Sequence, residues 1–128
     1  MFELNMDIKT RDEIIFGEYN PDAYSGGCRH FDYLDAPTLR KLIDMGFADP
    51  EEEQNSSPTI EEFLEFVENH DEYVLGGYVV TDQRDDYRVS ITDISKDGEI
   101  ETMDELKEFI EFARFADDFD PSGYAWWD

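Results

Sequence analysis

EYVLGGYVV (Glu72 to Val80), TDQRDD (81–86) and YRVSITDI (Tyr87 to Ile94) follow one another directly, and their reading decides the fold. In the last run Tyr87, Val89 and Ile91 alternate with Arg88, Ser90 and Thr92. A period of two is the signature of a strand with one buried face. The first run is apolar at both parities, which suits a central strand covered on both sides. Asp, Gln, Thr and Arg between them are turn and surface residues, so the pair reads as an antiparallel hairpin.

Helices are expected on either side of this hairpin. Upstream, Ser57-Pro58 combines a capping side chain with a proline at a first helical position. Ile60, Phe63, Leu64 and Val67 then follow the i, i+3, i+4, i+7 rule. Downstream, Lys96-Asp97-Gly98 turns the chain and Thr102 with Glu105 spells a T-x-x-E capping box. Met103, Leu106, Phe109, Ile110 and Ala113 supply that helix with an apolar stripe, and it is expected to run to about Ala116. Further upstream Asp35 reads as an N-cap, Pro37 as first turn, Leu39, Leu42 and Ile43 as the buried side, and Gly46 as the stop.

The N-terminal part carries weaker patterns. Phe2, Leu4, Met6 and Ile8 alternate with Glu3, Asn5 and Asp7, which predicts a strand, and Ile14 to Tyr19 predicts a short second one. NPDAYSGG (Asn20 to Gly27) is turn chemistry, and CRHFDYLD after it fits either a strand or a loop. The expectation is an α+β fold, a small antiparallel sheet of three or four strands with about three helices packed on one face. Residues 1–128 form a single acidic domain in this reading.

Charge narrows the function classes. The 128 residues include 34 Asp plus Glu against 10 Lys plus Arg, for a formal net charge of -24. Such a surface repels nucleic acid and anionic membranes, both of which recruit Lys and Arg. It attracts basic proteins, including grooves built to hold nucleic acid. Hydrophobic residues make up 40% and aromatics 15%, too apolar for a disordered chain. One cysteine, Cys28, excludes an intramolecular disulfide and fits a reducing compartment. No basic start followed by an apolar run marks a signal peptide, and no apolar stretch nears the roughly 20 residues of a membrane span. A soluble, cytoplasmic protein is expected.

Three places are candidates for chemistry. Asp118, Asp120, Ser122 and Gly123 match positions 1, 3, 5 and 6 of an EF-hand loop. Position 12, the bidentate Glu, would be residue 129, past Asp128, so a turn is the stronger reading and no metal is assigned. Cys28, His30 and Asp32 share a parity, and with His70 they would make a small zinc site or a Cys-His nucleophile. A small thiol beside a surface histidine accounts for them equally simply. No cofactor and no catalytic residue is assigned.

The third candidate is the acidic helix faces. Behind the apolar stripes stand Glu61, Glu62, Glu65 and Glu68 on one helix and Asp104, Glu105, Glu108 and Glu111 on the other. Glu61–Glu65 and Asp104–Glu108 are like-charge i, i+4 pairs, each unfavourable by roughly 0.2–0.5 kcal/mol. Stability alone would place Lys at some of these positions. A negative surface matched to a basic groove explains them, as does general acidity. Near them Phe112, Phe115, Phe119, Tyr124, Trp126 and Trp127 crowd the C-terminal segment. Folded back, the tryptophans complete the core; left outside, they anchor an interface.

GGYVVTDQRDDYRVSITDI (Gly76 to Ile94) and EFARFADDFDPSGYAWWD (Glu111 to Asp128) together resemble small acidic accessory proteins of bacterial plasmids, phages and conjugative elements. The likeness runs from about Leu39 to the C-terminus, implies a bacterial cytosolic accessory protein and carries over no functional residue. Some mobile-element proteins of this charge and size are anti-restriction or anti-CRISPR inhibitors that imitate DNA. The leading expectation is therefore a non-enzymatic protein that engages a basic partner, with nucleic-acid-binding proteins one candidate class, by charge mimicry, as an anti-defence inhibitor or an immunity-type protein would. The alternatives are a metal protein or enzyme centred on Cys28 and His30, and an acidic subunit docking through its aromatic C-terminus.

Overall fold

The structure, a computed structural model, describes residues 3–127. The elements in chain order are α1 (Ile8–Phe16), β1 (Cys28–Leu34), α2 (Ala36–Asp44), α3 (Ile60–Asn69), β2 (Tyr73–Val80), β3 (Val89–Lys96), α4 (Met103–Phe112), β4 (Asp118–Asp120) and β5 (Tyr124–Trp126). The strands form one antiparallel sheet in the order β1-β2-β3-β5-β4. The α+β class holds, with five strands among the described residues where three or four were expected and four α-helices where about three were.

The hairpin is the centre of the sheet. β2 lies between β1 and β3, as its two apolar faces require, and a bulge at Gly76/Gly77 shifts its register against β3. Gly77 is needed there because a Cβ would stand 1.9 Å from the Ser90 carbonyl oxygen. One face of the sheet presents Phe31, Leu34, Tyr73, Leu75, Val79, Val89, Ile91, Ile94 and Ala125, all buried. α3 and α4 pack on it through rings: Phe66 meets Tyr73 edge-on at 5.1 Å, and Phe109 stacks on Tyr73 at 5.5 Å. Leu39 and Leu42 of α2 join the same cluster.

Neither of the two expected N-terminal strands is present among the described residues. Phe2 lies outside the described residues, Leu4 and Met6 are coil, and Ile8 opens α1 instead. Asp7 caps that helix by accepting from the Thr10 backbone N–H and hydroxyl, and Gly17 closes it at φ 80°. Ile14 to Phe16 are therefore the last turn of a helix and not a strand. The inward residues of α1 are Ile8, Arg11 and Asp12. Their spacing is helical, but two are charged, which hides the period from a hydrophobicity reading. Arg11 and Asp12 are both 0% exposed. Arg11 donates to Asp12 at 2.9 Å, to the Val80 carbonyl at 2.9 Å and to the Tyr24 hydroxyl at 2.8 Å, and its guanidinium sits 4.7 Å over the Tyr87 ring. The Tyr24 hydroxyl donates to Asp12 in turn. A buried ion pair needs that full set of partners to offset desolvation.

Other boundaries move by a turn or less. Asp35 caps α2 as expected. The cap of α3 is Thr59, not Ser57: Thr59 and Glu62 form a complete capping box, while the Ser57 hydroxyl donates to the Pro58 carbonyl. Thr102 caps α4 by accepting from the Glu105 N–H, but α4 ends at Phe112, four residues early. Its buried side is Phe109 with Ala113; Met103 and Ile110, expected in the stripe, are exposed. The residues after α4 turn and return as the β4–β5 hairpin, which extends the sheet on the open side of β3.

Candidate interaction surface

α3 and α4 lie side by side because their aromatics interlock. Phe112 stacks on Phe66 at 4.3 Å and meets Phe63 edge-on at 5.5 Å. Trp127 closes the stack from the sheet side, 5.3 Å from Phe63 and 6.2 Å from Phe112, and is 1% exposed. Of the eight carboxylates singled out from the sequence on these two helices, seven are exposed and Glu105 is half-buried.

Those eight divide into two groups. Five are engaged within the chain. Glu62 accepts from the Thr59 N–H. Glu68 takes a forked contact from Arg40 at 2.8 and 3.0 Å. Glu105 holds the Lys96 ammonium at 2.5 Å, shared with Glu72 at 3.2 Å. Glu108 meets Nε2 of His70 at 2.6 Å, while Nδ1 of that ring faces the Phe66 carbonyl at 2.9 Å. Glu111 pairs with Arg114 at 3.4 Å. Glu61, Glu65 and Asp104 are exposed and make no ion pair with any described residue. Glu61 and Glu65 stand about one turn apart, about 6 Å along the helix, and Glu61 feels the charge of the nearby Arg40 without contacting it.

Beside this acidic face a groove of about 360 Å³ runs between the start of α3 and the end of α4. Ser57, Pro58, Glu62, Phe112 and Phe115 form its walls. Phe115 is 62% exposed, with the Arg114 guanidinium 4.9 Å over its ring. Of the two tryptophans, adjacent in the chain, Trp127 is core and Trp126 points to the opposite side of the sheet, 36% exposed.

That opposite side has no helix among the described residues. Cys28 and His30 share it, as their parity requires, with Tyr78, Asp93, Tyr124 and Trp126 from neighbouring strands. The Cys28 sulfur accepts from Arg84 at 3.4 Å, and the exposed His30 ring lies 6.1 Å from Tyr78. His70 is held between Phe66 and Glu108 and does not join them. Among the described residues no group of three or more His, Cys, Asp or Glu side chains is placed to hold a metal ion. Asp118 and Asp120 belong to β4, and the Asp120 carboxylate accepts from the Ser122 N–H at 2.9 Å, closing a hairpin turn.

Two carboxylates outside the acidic helix face have unusual environments. Burial raises Asp93 to about 6, with the nearby negative charge of Asp32 adding to the rise. Its Oδ1 is buried without a hydrogen-bond partner, lodged where a side chain on Gly76 would have to be, 2.0 Å from that Cβ position. Burial likewise raises Glu52 to about 7, against the opposing pull of Arg88 at 3.1 Å and of the Ser90 hydroxyl. Neither residue stands out in a sequence with 34 acids. The G-G pair before Tyr78 is the one signal that a neighbour approaches closely at Asp93.

No helix among the described residues is long and apolar enough to cross a membrane. Comparison with protein-family models, with curated proteins and with solved structures finds no match to this chain.

Proposed function

We propose that this chain is a non-enzymatic binding protein whose acidic helical face engages a basic protein by charge mimicry, its carboxylates standing where phosphates would. The observation that carries the reading is that Glu61, Glu65 and Asp104 are exposed and make no ion pair with any described residue, whereas the other five carboxylates of these two helices have internal partners. Like charges left one turn apart cost stability, and a cationic partner removes that cost. The groove beside them adds what charge alone lacks, an exposed aromatic, Phe115, able to anchor a contact. A nucleic-acid-binding protein is the natural class of partner, in the cytoplasm, and an anti-defence inhibitor or an immunity-type protein would work in this way. Long-range attraction would speed encounter and make it salt-sensitive.

The test is the double variant Glu61→Lys/Glu65→Lys, which spares the capping Glu62 and the paired Glu68. Partners are captured from host extract at about 0.05 and 0.5 M salt, roughly threefold to either side of the physiological ionic strength of about 0.15 M, and competed with duplex DNA. Wild-type capture is expected to fail at high salt, to be displaced by DNA and to be lost in the variant, whose stability changes by no more than about 0.5 kcal/mol. Capture that survives the double reversal at low salt overturns the reading for this face. Docking through the aromatic C-terminus is favoured by one observation, the exposure of Trp126; Trp127 is core and has no surface to offer.

A further inference from the structure

The margins of the sheet are not treated alike. The free margin of β1 is interrupted by a bulge in which Tyr33 adopts φ 60°, and α1 lies against this strand, with Phe16 under the Arg29 guanidinium at 3.7 Å. The part of β3 beyond β5 is covered by the segment before α3: Glu52 and Gln54 both reach the Ser90 hydroxyl, and Arg88 ties Glu52 in place. β4 ends the sheet order, and no described element pairs with its outer side. All three of its residues are exposed.

An unpaired strand invites another strand, and proteins usually deter this with a charge or a proline. Here the charges are Asp118 and Asp120, both on the face of the sheet that also carries Trp126 and Tyr124, their partners across β5. Phe119, between them, turns to the other face, stacks on Phe109 at 5.5 Å and keeps 37% of its surface exposed. A second copy of this chain would bring aspartates against aspartates, which is destabilising for directly opposed positions. A basic strand would bring cations against them. The same two residues therefore reject self-pairing and select a partner by charge.

We propose that β4 is a docking edge for an extended basic segment of the partner protein, which adds as a sixth strand. This rests on the basic-partner reading above and gives it a place. Main-chain hydrogen bonds to β4 supply the adhesion, and alternate side chains supply the choice. Lys or Arg at every second position falls beside Asp118 and Asp120, and its stem lies along the Trp126 ring. The apolar residue between them meets Phe119.

The probe is a short peptide of alternating lysine and valine, titrated into the isotope-labelled full chain and followed by backbone amide shifts and hydrogen exchange. The control peptide has the same sequence with N-methyl groups on the amides of one edge. Shifts and slowed exchange are expected at Asp118, Phe119 and Asp120 and at the Trp126 indole. N-methylation is expected to weaken binding about tenfold or more, since the lost bonds are the adhesive ones. Asp118→Lys is expected to weaken it similarly, with Trp127 still buried in the variant. Equal affinity for both peptides overturns the edge. Shifts confined to Glu61 and Glu65 overturn the edge while leaving the basic-partner reading standing. No response to either peptide at low salt also overturns the edge, and the Glu61/Glu65 capture experiment then decides the wider reading on its own.

Discussion

The two faces of the sheet are built on opposite rules. The covered face is an aromatic solid: Tyr73, Phe63, Phe66, Phe109, Phe112 and Trp127 contact one another edge-on or stacked, and five of the six are buried. The open face carries His30, Tyr78, Asp93, Tyr124 and Trp126, half-wet, with a carboxylate oxygen that lacks a partner. Apolar area removed from water stabilises in proportion to its extent, so the first face holds the fold together. The second is less apolar and holds Asp93, whose carboxyl burial raises to about 6. Such an arrangement leaves the open face, and the strand at its end, available for something other than stability.

Replacing residues on each side should expose the asymmetry. Trp127→Ala removes the ring that joins Phe63 and Phe112 to β5, and urea unfolding should show a loss of about 3–5 kcal/mol, as for other fully buried large rings. A loss below about 1 kcal/mol would mean that the tail is not part of the core. Asp93→Asn should act in the other direction. The folded carboxyl is raised from its ordinary 3.8 to about 6, so its proton is held more tightly in the folded state than in the unfolded chain. Its stabilising contribution is full below about pH 4 and is lost as pH rises through about 6. The asparagine variant should therefore exceed wild type by about 1 kcal/mol at pH 8, a figure reduced for the partial exposure of the site. The advantage should shrink as pH falls toward 4, and thermal melts across that range check it; an advantage independent of pH would count against the buried charge. Trp126→Ala, one residue from the most damaging site, should change stability by only about 0.5 kcal/mol.

The covered face was also the legible one. The Ile60, Phe63, Leu64, Val67 spacing and the Tyr87, Val89, Ile91 alternation reflect apolar burial directly; α3 lies where its pattern puts it, and β3 runs two residues later than Tyr87 to Ile94, over Val89–Lys96. The apolar pattern puts strands at both ends of α1, at Ile8 and at Ile14 to Phe16, because the inward side of that helix is an ion pair and apolar periodicity reports on other residues. β4 and β5 are three residues each, too short for alternation to register, although the Pro-Ser-Gly turn between them was visible. Among the acids, outward placement followed from helical spacing alone. Which of them are engaged did not, because Arg40–Glu68, His70–Glu108 and Lys96–Glu105 join residues far apart in sequence. The same holds for Asp93, whose environment is made by Asp32 and Gly76 on two other strands.

The chain has two tryptophans, and the strand alternation at Trp126 and Trp127 sends them to opposite sides. The molecule thus carries a built-in pair of optical reporters. Trp127, 1% exposed in an aromatic surround, is expected to emit to the blue of the half-exposed Trp126 and to be better shielded from acrylamide. Unfolding should then be read from the first, and the proposed docking at the β4 edge from the second, on unlabelled protein in a single cuvette.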